Sequence, residues 1–256
     1  SEIQKLLTFF QESGTKYFIV GNGSNLLVSD GGYDGAILHI GEGFDKIGVV
    51  GEKVRAQAGA LLGRAALTAQ QNSLTGLEFA FGIPGSVGGA AVMNAGAYGG
   101  EMSQVVSMVT GFTSDGDEVK LSNKELDFGY RKSILKQEKI VVAEVEFCLS
   151  DGSPEEISMK MNDLTGRRRA KQPLEYPSAG STFKRPEGHF AGKLIMDAGL
   201  KGLCVGGAQV SEKHCGFIIN KGGATAADVR QLMKKVQDRV KEQSGVELEP
   251  EIICLE

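Results

Sequence analysis

Apolar and polar residues repeat with a helical period at the start of the chain. The apolar residues among 2–13 fall on one helical face, and these are Ile3, Leu6, Leu7 and Phe10. Gly14 stands where such a helix would end. Residues 17–20, Tyr-Phe-Ile-Val, form a short apolar run that is typical of a buried strand. Two similar runs, 26–28 and 36–38, are separated by Asp-Gly turns and predict further strands.

The middle of the chain carries several apolar runs of strand length joined by turn residues. The runs that predict strands are 47–50, 54–59, 108–113, 118–121 and 140–149. Residues 114–117, Ser-Asp-Gly-Asp, are a strong hairpin turn between two of them. An apolar stripe over 61–69 predicts a helix that ends before Asn72.

A new helix begins at Ser153, which is followed by Pro154 at the first helical position and by Glu at the third. Its inward positions are Ile157, Met161 and Leu164. It ends in residues 167–169, three consecutive arginines. This cluster either complements the helix dipole or holds phosphate groups, and the sequence leaves both readings open.

The last helix has clear start and stop signals. Thr225 and Asp228 are spaced as a capping box, and Gly245 follows the last apolar position. Shorter elements before it are a helix near 190–198 and strands near 207–210 and 217–220. Residues 246–255 predict a final strand that alternates imperfectly around Pro250, and we expect it to return to the opening unit.

Two glycine-rich segments offer backbone rather than side-chain chemistry. Residues 82–100 contain seven Gly and four Ala and no charged residue. Such a segment either cradles a phosphate with successive N–H groups or makes tight turns and close chain contacts. A second segment, residues 21–26 (Gly-Asn-Gly-Ser-Asn-Leu), follows an apolar strand. Two such loops favour a ligand with a diphosphate group, and therefore a dinucleotide.

Neither common nucleotide-binding motif is present. Leu26 occupies the position of the third Gly in G-x-G-x-x-G, and the next element is a strand rather than a long helix. No G-x-x-x-x-G-K-[ST] segment occurs anywhere in the chain. The pattern therefore excludes a simple Rossmann or P-loop reading.

Composition narrows the class of protein further. The 256 residues are 41% apolar and 23% charged, as in an ordinary globular protein, and the net charge of -4 argues against nucleic-acid binding. The four Cys show no C-x-x-C pattern, and the three His (His39, His189, His214) lack metal-ligand spacing, so we expect no metal site. The sequence shows no signal-peptide pattern and no run long enough to cross a bilayer. We expect a cytoplasmic protein that does not bind membranes.

Three side chains are candidates for chemistry, and each has a simpler reading. Ser181 lies in a loop between Pro177 and Pro186; without a G-x-S-x-G elbow it reads as a turn or phosphate contact. Arg131 lies in a loop after the apolar Phe128, and its simpler interpretation is a surface residue. Glu251 lies beside Pro250 and reads as the polar face of a strand.

The order of several segments changes these readings. The segments are 17–28, 82–100, 130–133, 180–186, 192–194, 214–220 and 248–252. In this order they closely resemble the MurB family, the UDP-N-acetylenolpyruvoylglucosamine reductases of bacterial cell-wall synthesis, over nearly the whole chain. The resemblance implies an α+β fold, with a two-part FAD-binding module of the vanillyl-alcohol-oxidase type and a C-terminal α+β substrate-binding domain. The implied domains are 1–43 with 249–256, 44–170, and 171–248.

The resemblance also implies the site residues. The catalytic residues would be Ser181, Arg131 and Glu251. Non-covalent FAD would be held through its diphosphate by Gly21, Asn22, Gly23, Ser24, Asn25, Leu26, Ile83, Pro84, Gly85, Ser86, Gly88, Gly89 and Ala90. Contacts to the UDP part of the substrate would come from Lys171, Lys184, Arg185 and His214.

The implied reaction has two halves. NADPH would reduce FAD and leave, and UDP-N-acetylglucosamine enolpyruvate would then take a hydride from FAD N5 on its vinyl carbon to give UDP-N-acetylmuramate. The enolate that results needs preorganised donors, a task that suits Arg131 and a protonated Glu251. Ser181 would supply the final proton. We expect a monomer with a UDP-sugar substrate.

The sequence departs from the family pattern in two places. The family opens with a further strand that carries His-Thr-Thr-like and Gly-Gly residues, and the printed sequence starts beyond it. Either that strand is missing from this sequence or the first domain is smaller than in the family. The residues that would contact the isoalloxazine ring are therefore not assigned. Only about six residues separate Ser133 from Ile140. We therefore expect the shorter subclass, without a substrate-covering Tyr loop.

Two rival functions stay open at the level of sequence. A sugar or alcohol oxidase of the same fold often tethers its flavin through His or Cys, and neither residue occurs in either glycine-rich segment. Flavin that stays attached to denatured protein would favour that rival. The second rival is a non-enzymatic nucleotide-binding protein, which a colourless and well-ordered preparation would favour.

Overall fold

The computed structural model describes residues 2–256, which divide into two compact units. The first unit contains the residues up to Gly23 together with Gly35–Gly166. The second contains Ser24–Asp34 and Arg167–Glu256. The helices are α1 (Glu2–Ser13), α2 (Leu62–Gln71), α3 (Val87–Val92), α4 (Ile134–Gln137), α5 (Pro154–Lys171), α6 (Ala191–Asp197) and α7 (Ala226–Ser244).

The strands are short, apart from those of one central sheet. They are β1 (Tyr17–Val20), β2 (Leu26–Val28), β3 (Ala36–His39), β4 (Ile47–Val50), β5 (Lys53–Gln57), β6 (Leu74–Thr75), β7 (Gly96–Ala97), β8 (Gly100–Glu101), β9 (Val106–Phe112), β10 (Glu118–Ser122), β11 (Val141–Cys148), β12 (Ser150–Asp151), β13 (Cys204–Val205), β14 (Ala208–Val210), β15 (Ile218–Asn220) and β16 (Ile253–Leu255). Two 3-10 turns, Glu78–Ala80 and Met102–Gln104, complete the set.

The first unit opens with α1 and a parallel pair of strands, β1 and β3. Helix α1 buries Ile3, Leu7 and Phe10, and the Phe10 ring stacks on Tyr17 with ring centroids 4.9 Å apart. Leu6, which the periodicity placed on the same face, is 41% exposed, so that part of the prediction is wrong. The reason is geometric: residues 3, 7 and 10 follow the i, i+4, i+7 stripe, and position 6 lies at its edge.

The main sheet of the first unit is antiparallel, with strand order β10-β9-β11-β5-β4. The predicted hairpins are confirmed, β4 with β5 and β9 with β10, and Thr113 N–H donates to the Asp117 carbonyl across the second turn. Strand β11 lies at the centre, where Val145 and Phe147 are fully buried. Small residues of α2 and α3 pack into the same core, which brings these helices close to the sheet.

The second unit is built on the antiparallel sheet β13-β14-β15 and the helix α7. The capping box of Thr225 and Asp228 is present, and Gly245 ends α7 in the left-handed region at φ 72°. Both predicted helix signals are therefore confirmed. The buried face of α7 consists of Ala226, Leu232, Met233, Val236 and Val240.

The last strand is shorter than the sequence suggests. A continuous strand over 246–255 is wrong, because only Ile253–Leu255 forms a strand, β16, while Pro250 makes an isolated bridge. Pro250 has no N–H to give to a ladder, which helps to end the pairing there. Strand β16 pairs in parallel with β2, so the chain end does return to the opening residues; both strands belong to the second unit. Among the helices of residues 2–256, none is long and apolar enough to span a membrane.

Candidate active site

Gly21 and Asn22 of the first glycine loop (residues 21–26) meet the second glycine segment (residues 82–100) within the first unit. Asn22 Nδ2 donates to the Pro84 carbonyl at 3.0 Å. A Cβ on Gly21 would lie 2.1 Å from Ser86 Oγ. Only glycine allows this approach. The contacts at Gly21 and Asn22 therefore bring together two loops that are about 60 residues apart in the sequence.

The second glycine segment turns directly into α3. The Ser86 hydroxyl caps this helix by accepting from Gly89 N–H at 3.3 Å. A Cβ on Gly88 would lie 2.7 Å from the Ala58 Cβ. Gly88 is therefore needed for close packing on the sheet, which is the simpler of the two roles that the sequence offered for such glycines.

The two loops differ in the hydrogen-bond donors that they offer to a diphosphate. Across residues 2–256, no backbone N–H of residues 21–25 donates to a backbone carbonyl. In the second segment, by contrast, the N–H groups of Val87 and Gly88 donate to Ala60 and Ala58. Gly23 has φ +64° with no atom within 4 Å of a built Cβ. The first loop thus fits an anionic diphosphate group, and the second supplies its close packing.

Arg131 lies in a tight loop of the first unit, and its backbone is left-handed at φ 55°. Gly129 and Lys132 exchange backbone hydrogen bonds around it, and its guanidinium lies 5.0 Å from the Tyr130 ring centroid. For a non-glycine residue this backbone is uncommon and costs of order 1 kcal/mol or more, which marks the position as functional or tightly constrained.

Two buried polar residues anchor the Arg131 loop to the second glycine segment. Asn94 Nδ2 donates to the Gly129 carbonyl at 3.0 Å, and Ser133 Oγ donates to the Val92 carbonyl at 2.7 Å. Both side chains are almost fully buried. The sequence analysis missed Asn94. A single amide side chain in a run of Gly and Ala is a signal that its hydrogen bonds hold a neighbouring segment.

The second unit brings Ser181 and Glu251 onto neighbouring chain segments. Glu251 N–H donates to the Thr182 carbonyl at 2.8 Å, and Phe183 forms a bridge with Pro250. Thr182 itself is 2% exposed and donates its N–H to the Gly216 carbonyl at 2.8 Å. Glu251 is thus bonded through its backbone to the residue that follows Ser181, while Arg131 belongs to the first unit.

His214 and Lys171 lie near each other in the second unit. Burial lowers the pKa of His214, the positive charge of Lys171 lowers it further, and a backbone hydrogen bond acts in the opposite direction. Gly216 N–H donates to His214 Nδ1 at 3.1 Å, so the neutral ring carries its proton on Nε2. Lys171 is the last residue of α5, two residues beyond the predicted end of that helix.

The other two candidates for the UDP part make contacts of their own. Lys184 Nζ forms an ion pair with Glu249. The Arg185 guanidinium lies 3.9 Å from the Phe190 ring centroid, and its Nε donates to the His189 carbonyl at 3.3 Å. In the part of the chain that the structure describes, all four Cys are free thiols, and no group of three or more His, Cys, Asp or Glu could hold a metal ion.

Comparison with known proteins finds one family model in the first half of the chain and another at its C-terminal end. Residues 1–122 match the family model described as "FAD binding domain". Residues 172–255 match the model described as "UDP-N-acetylenolpyruvoylglucosamine reductase, C-terminal domain". The first match covers both Gly21–Gly23 and the second glycine segment, and the second match covers both Ser181 and Glu251.

Relatives are similar over almost the whole chain. A UDP-N-acetylenolpyruvoylglucosamine reductase from Agathobacter rectalis is 52% identical over 264 residues, covering 98% of this chain and 84% of that protein. One from Clostridium novyi is 51% identical over 251 residues, covering 98% and 81%. The crystal structure of UDP-N-acetylenolpyruvylglucosamine reductase (MurB) from Thermus caldophilus superposes with a TM-score of 0.84 at 39% identity, covering 97% of this chain and 88% of that one.

These findings define the class first: an oxidoreductase with an FAD-binding domain and a separate C-terminal α+β domain. Within that class, the chain belongs to the UDP-N-acetylenolpyruvoylglucosamine reductase (MurB) family. The expected family and fold class are confirmed, as is FAD as the cofactor type. The roles of individual residues stay predictions.

Proposed function

We propose that this chain catalyses the NADPH-dependent reduction of UDP-N-acetylglucosamine enolpyruvate to UDP-N-acetylmuramate in peptidoglycan precursor synthesis. The observation that carries the proposal is the hydrogen bond from Glu251 N–H to the Thr182 carbonyl, at 2.8 Å. It joins Glu251 to the residue after Ser181, inside the region that matches the reductase C-terminal domain. A proton donor and a polar charge-stabilising group are what the second half of this reaction needs.

When bound, FAD would accept a hydride from NADPH and pass it to the vinyl carbon of the substrate. Ser181 donates a proton to the adjacent carbon, and Glu251 and Arg131 stabilise the negative charge that develops on the substrate carboxylate. The first glycine loop binds the diphosphate of FAD through its N–H groups, supported by residues 83–90. Lys171, Lys184, Arg185 and His214 bind the UDP part of the substrate.

The proposal also covers the location, oligomeric state, co-substrate and domain boundaries of the protein. The protein acts in the cytoplasm as a monomer, uses NADPH as co-substrate and binds neither nucleic acid nor membrane. Its functional domains are 1–43 with 249–256, 44–170, and 171–248. The segment between Ser133 and strand β11 holds only the single-turn helix α4, which supports membership of the shorter subclass without a substrate-covering Tyr loop.

Ser181→Ala tests the reaction directly. Reduction of the flavin by NADPH needs no proton from Ser181, so its rate should match wild type. Reoxidation by the enolpyruvyl substrate should slow by roughly 10²–10⁴-fold, the typical contribution of a general acid. Stopped-flow absorbance of the flavin measures the two halves separately. The matched control is Ser178→Ala, an exposed serine of the same loop, which should leave both rates unchanged.

Each other outcome has a definite meaning. If both half-reactions slow equally in Ser181→Ala, the serine shapes the site and does not supply the proton. If wild-type flavin is reduced by NADPH but is not reoxidised by the enolpyruvyl substrate, the proposed substrate is wrong. Purified protein that takes up no FAD at all would contradict the proposal at its first step.

A further inference from the structure

Asn25 attaches the first glycine loop to the segment that carries Glu251, and both residues belong to the second unit. The side-chain Nδ2 of Asn25 donates to the Glu251 carbonyl at 3.1 Å. The backbone carbonyl of Asn25 accepts from Ile253 N–H at 2.9 Å. One residue therefore holds the final segment at two points, two residues apart.

The hydrogen bond from the Asn25 side chain holds the final segment at a point that the pairing of β2 with β16 does not reach. The parallel ladder between β2 and β16 begins at Leu26 and Ile253. It does not reach Glu251, and Pro250 has no N–H with which a ladder could continue. The Asn25 amide fixes the Glu251 carbonyl at this point. The amide of an Asn side chain can do this because it mimics a backbone N–H donor.

The attachment continues on the other side of Glu251. Glu251 N–H donates to the Thr182 carbonyl at 2.8 Å, and the Thr182 hydroxyl accepts from Ile218 N–H at 3.0 Å. The peptide groups on both sides of Glu251 are thus held, one by Asn25 and one by the residue after Ser181. Loss of the Asn25 donor would remove the bond to the Glu251 carbonyl and leave the bond from Glu251 N–H to Thr182 in place.

We propose that Asn25 is a positioning residue, whose side chain sets the Glu251 backbone in the register at which Glu251 and Ser181 act together. This inference rests on the proposed function for the roles of those two residues. It assigns to Asn25 a task separate from the diphosphate contact, because the Nδ2 group is directed to a carbonyl of the final segment. The substrate half-reaction therefore depends on the Asn25 side chain more strongly than the NADPH half-reaction does.

The experiment compares two amide side chains that each donate to a carbonyl near the chain end. Asn25→Leu is nearly isosteric and removes the donor without adding charge. The matched control is Gln237→Met, because Gln237 Nε2 donates to the Leu248 carbonyl at 2.8 Å. Asn25→Ser, too short to reach Glu251, replaces the leucine variant if that protein does not fold. The readouts are FAD affinity, the two stopped-flow half-reactions, and hydrogen exchange of residues 251–253 in FAD-free protein.

Asn25→Leu should slow reoxidation of the flavin by the enolpyruvyl substrate roughly 10-fold. This factor corresponds to the loss of about one hydrogen bond, after which Glu251 is no longer held in place. Because Asn25 also lies in the loop that holds FAD, both half-reactions are measured at saturating FAD, and reoxidation should slow more than reduction by NADPH does. Backbone exchange at residues 251–253 should become faster in the FAD-free variant. Gln237→Met should leave both half-reactions unchanged.

Three results would overturn the inference. They are equal slowing of both half-reactions in the Asn25 variants, unchanged exchange at residues 251–253, or the same selective slowing in Gln237→Met. Failure of the proposed function is recognised separately, since wild-type flavin would then not be reoxidised by the substrate. In that case the exchange measurement on FAD-free protein still decides whether Asn25 holds the Glu251 segment.

Discussion

Gly21 shows how one missing methyl group decides whether two loops can meet. A Cβ at this position would lie 2.1 Å from Ser86 Oγ and 3.2 Å from Ser86 Cβ. The hydroxyl cannot turn away at no cost, because it caps α3 through Gly89 N–H. A side chain on Gly21 must therefore displace either the first glycine loop or the start of α3.

We expect Gly21→Ala to weaken FAD binding by about 10-fold or more, because the loop that presents its N–H groups is displaced. Flavin fluorescence titration measures the change in Kd. The double variant Gly21→Ala with Ser86→Gly should recover most of the loss, since glycine at an N-cap costs only a few tenths of a kcal/mol. Gly31→Ala is the control, because its Cβ would make only an ordinary 3.8 Å contact with Ser29 Oγ. Unchanged FAD affinity in Gly21→Ala would contradict the role of the first loop.

At the residue scale the sequence singled out two segments that meet in the structure, but not the contacts between them. The absence of side chains in the two glycine-rich runs favoured backbone recognition, and the geometry of Gly21 and Gly23 agrees. The support of the Arg131 loop by Asn94 was not predicted. A side chain that bonds to a residue 35 positions away leaves no periodic signal.

At the scale of elements, strands β5 and β11 are joined by a cluster of charges around Glu146. Lys53 Nζ donates to one carboxylate oxygen at 2.9 Å, and Arg55 Nε donates to the other at 2.8 Å. The bond from Lys53 is the largest cause of a pKa for Glu146 of about 2; burial opposes the shift, and bonds from Arg55 and Ser107 add to it. Both cations are more than half exposed, so solvent screens much of their attraction.

Glu146→Gln should lower the unfolding free energy at neutral pH by about 1–2 kcal/mol, because it leaves charge-assisted bonds unmade in a buried position. The sign of the pH dependence follows from the depressed pKa. The contribution of Glu146 is fully present above the ordinary value of 4.5 and is lost as the pH falls toward about 2.

Urea unfolding of wild type and Glu146→Gln between pH 7 and pH 2 measures this difference. The gap should be constant above about pH 5.5 and should shrink below about pH 4.5. Glu144→Gln, on the same strand, is the matched control and should show no such gap, since Glu144 makes no ion pair within residues 2–256. If the difference in unfolding free energy between wild type and Glu146→Gln does not change with pH, the loss of stability comes from altered packing and not from the lost charge.

Elements with local signals were predicted well, and those without were not. Helix α7 is started by the Thr225–Asp228 capping box and ended by Gly245, as the sequence predicted. The final strand was predicted too long, because alternation around Pro250 looked continuous. Its true extent depends on a partner, β2, that lies more than 200 residues earlier in the chain.

At the scale of the whole molecule, bound cofactor should raise thermal stability. A ligand that binds only the folded protein adds about 2.7 kcal/mol at 100 times its Kd. For a chain of this length this corresponds to a rise in Tm of roughly 5–10 °C. Differential scanning calorimetry with FAD measures this shift. FMN, which lacks the diphosphate and the adenosine, should give a much smaller one; equal shifts would contradict recognition of a diphosphate.

The sequence by itself determined the longer helices, the strands of the main sheet, the two glycine-rich segments and, through the order of its motifs, the family. These features depend on periodicity, caps and turn residues, which act over a few positions. Only the tertiary structure decided that Asn22 contacts Pro84, that β16 pairs with β2, and that Asn25 and Thr182 hold Glu251 between them. Such contacts join residues from about 60 to more than 220 positions apart. Their partners are selected by the packing of the whole core rather than by any local pattern.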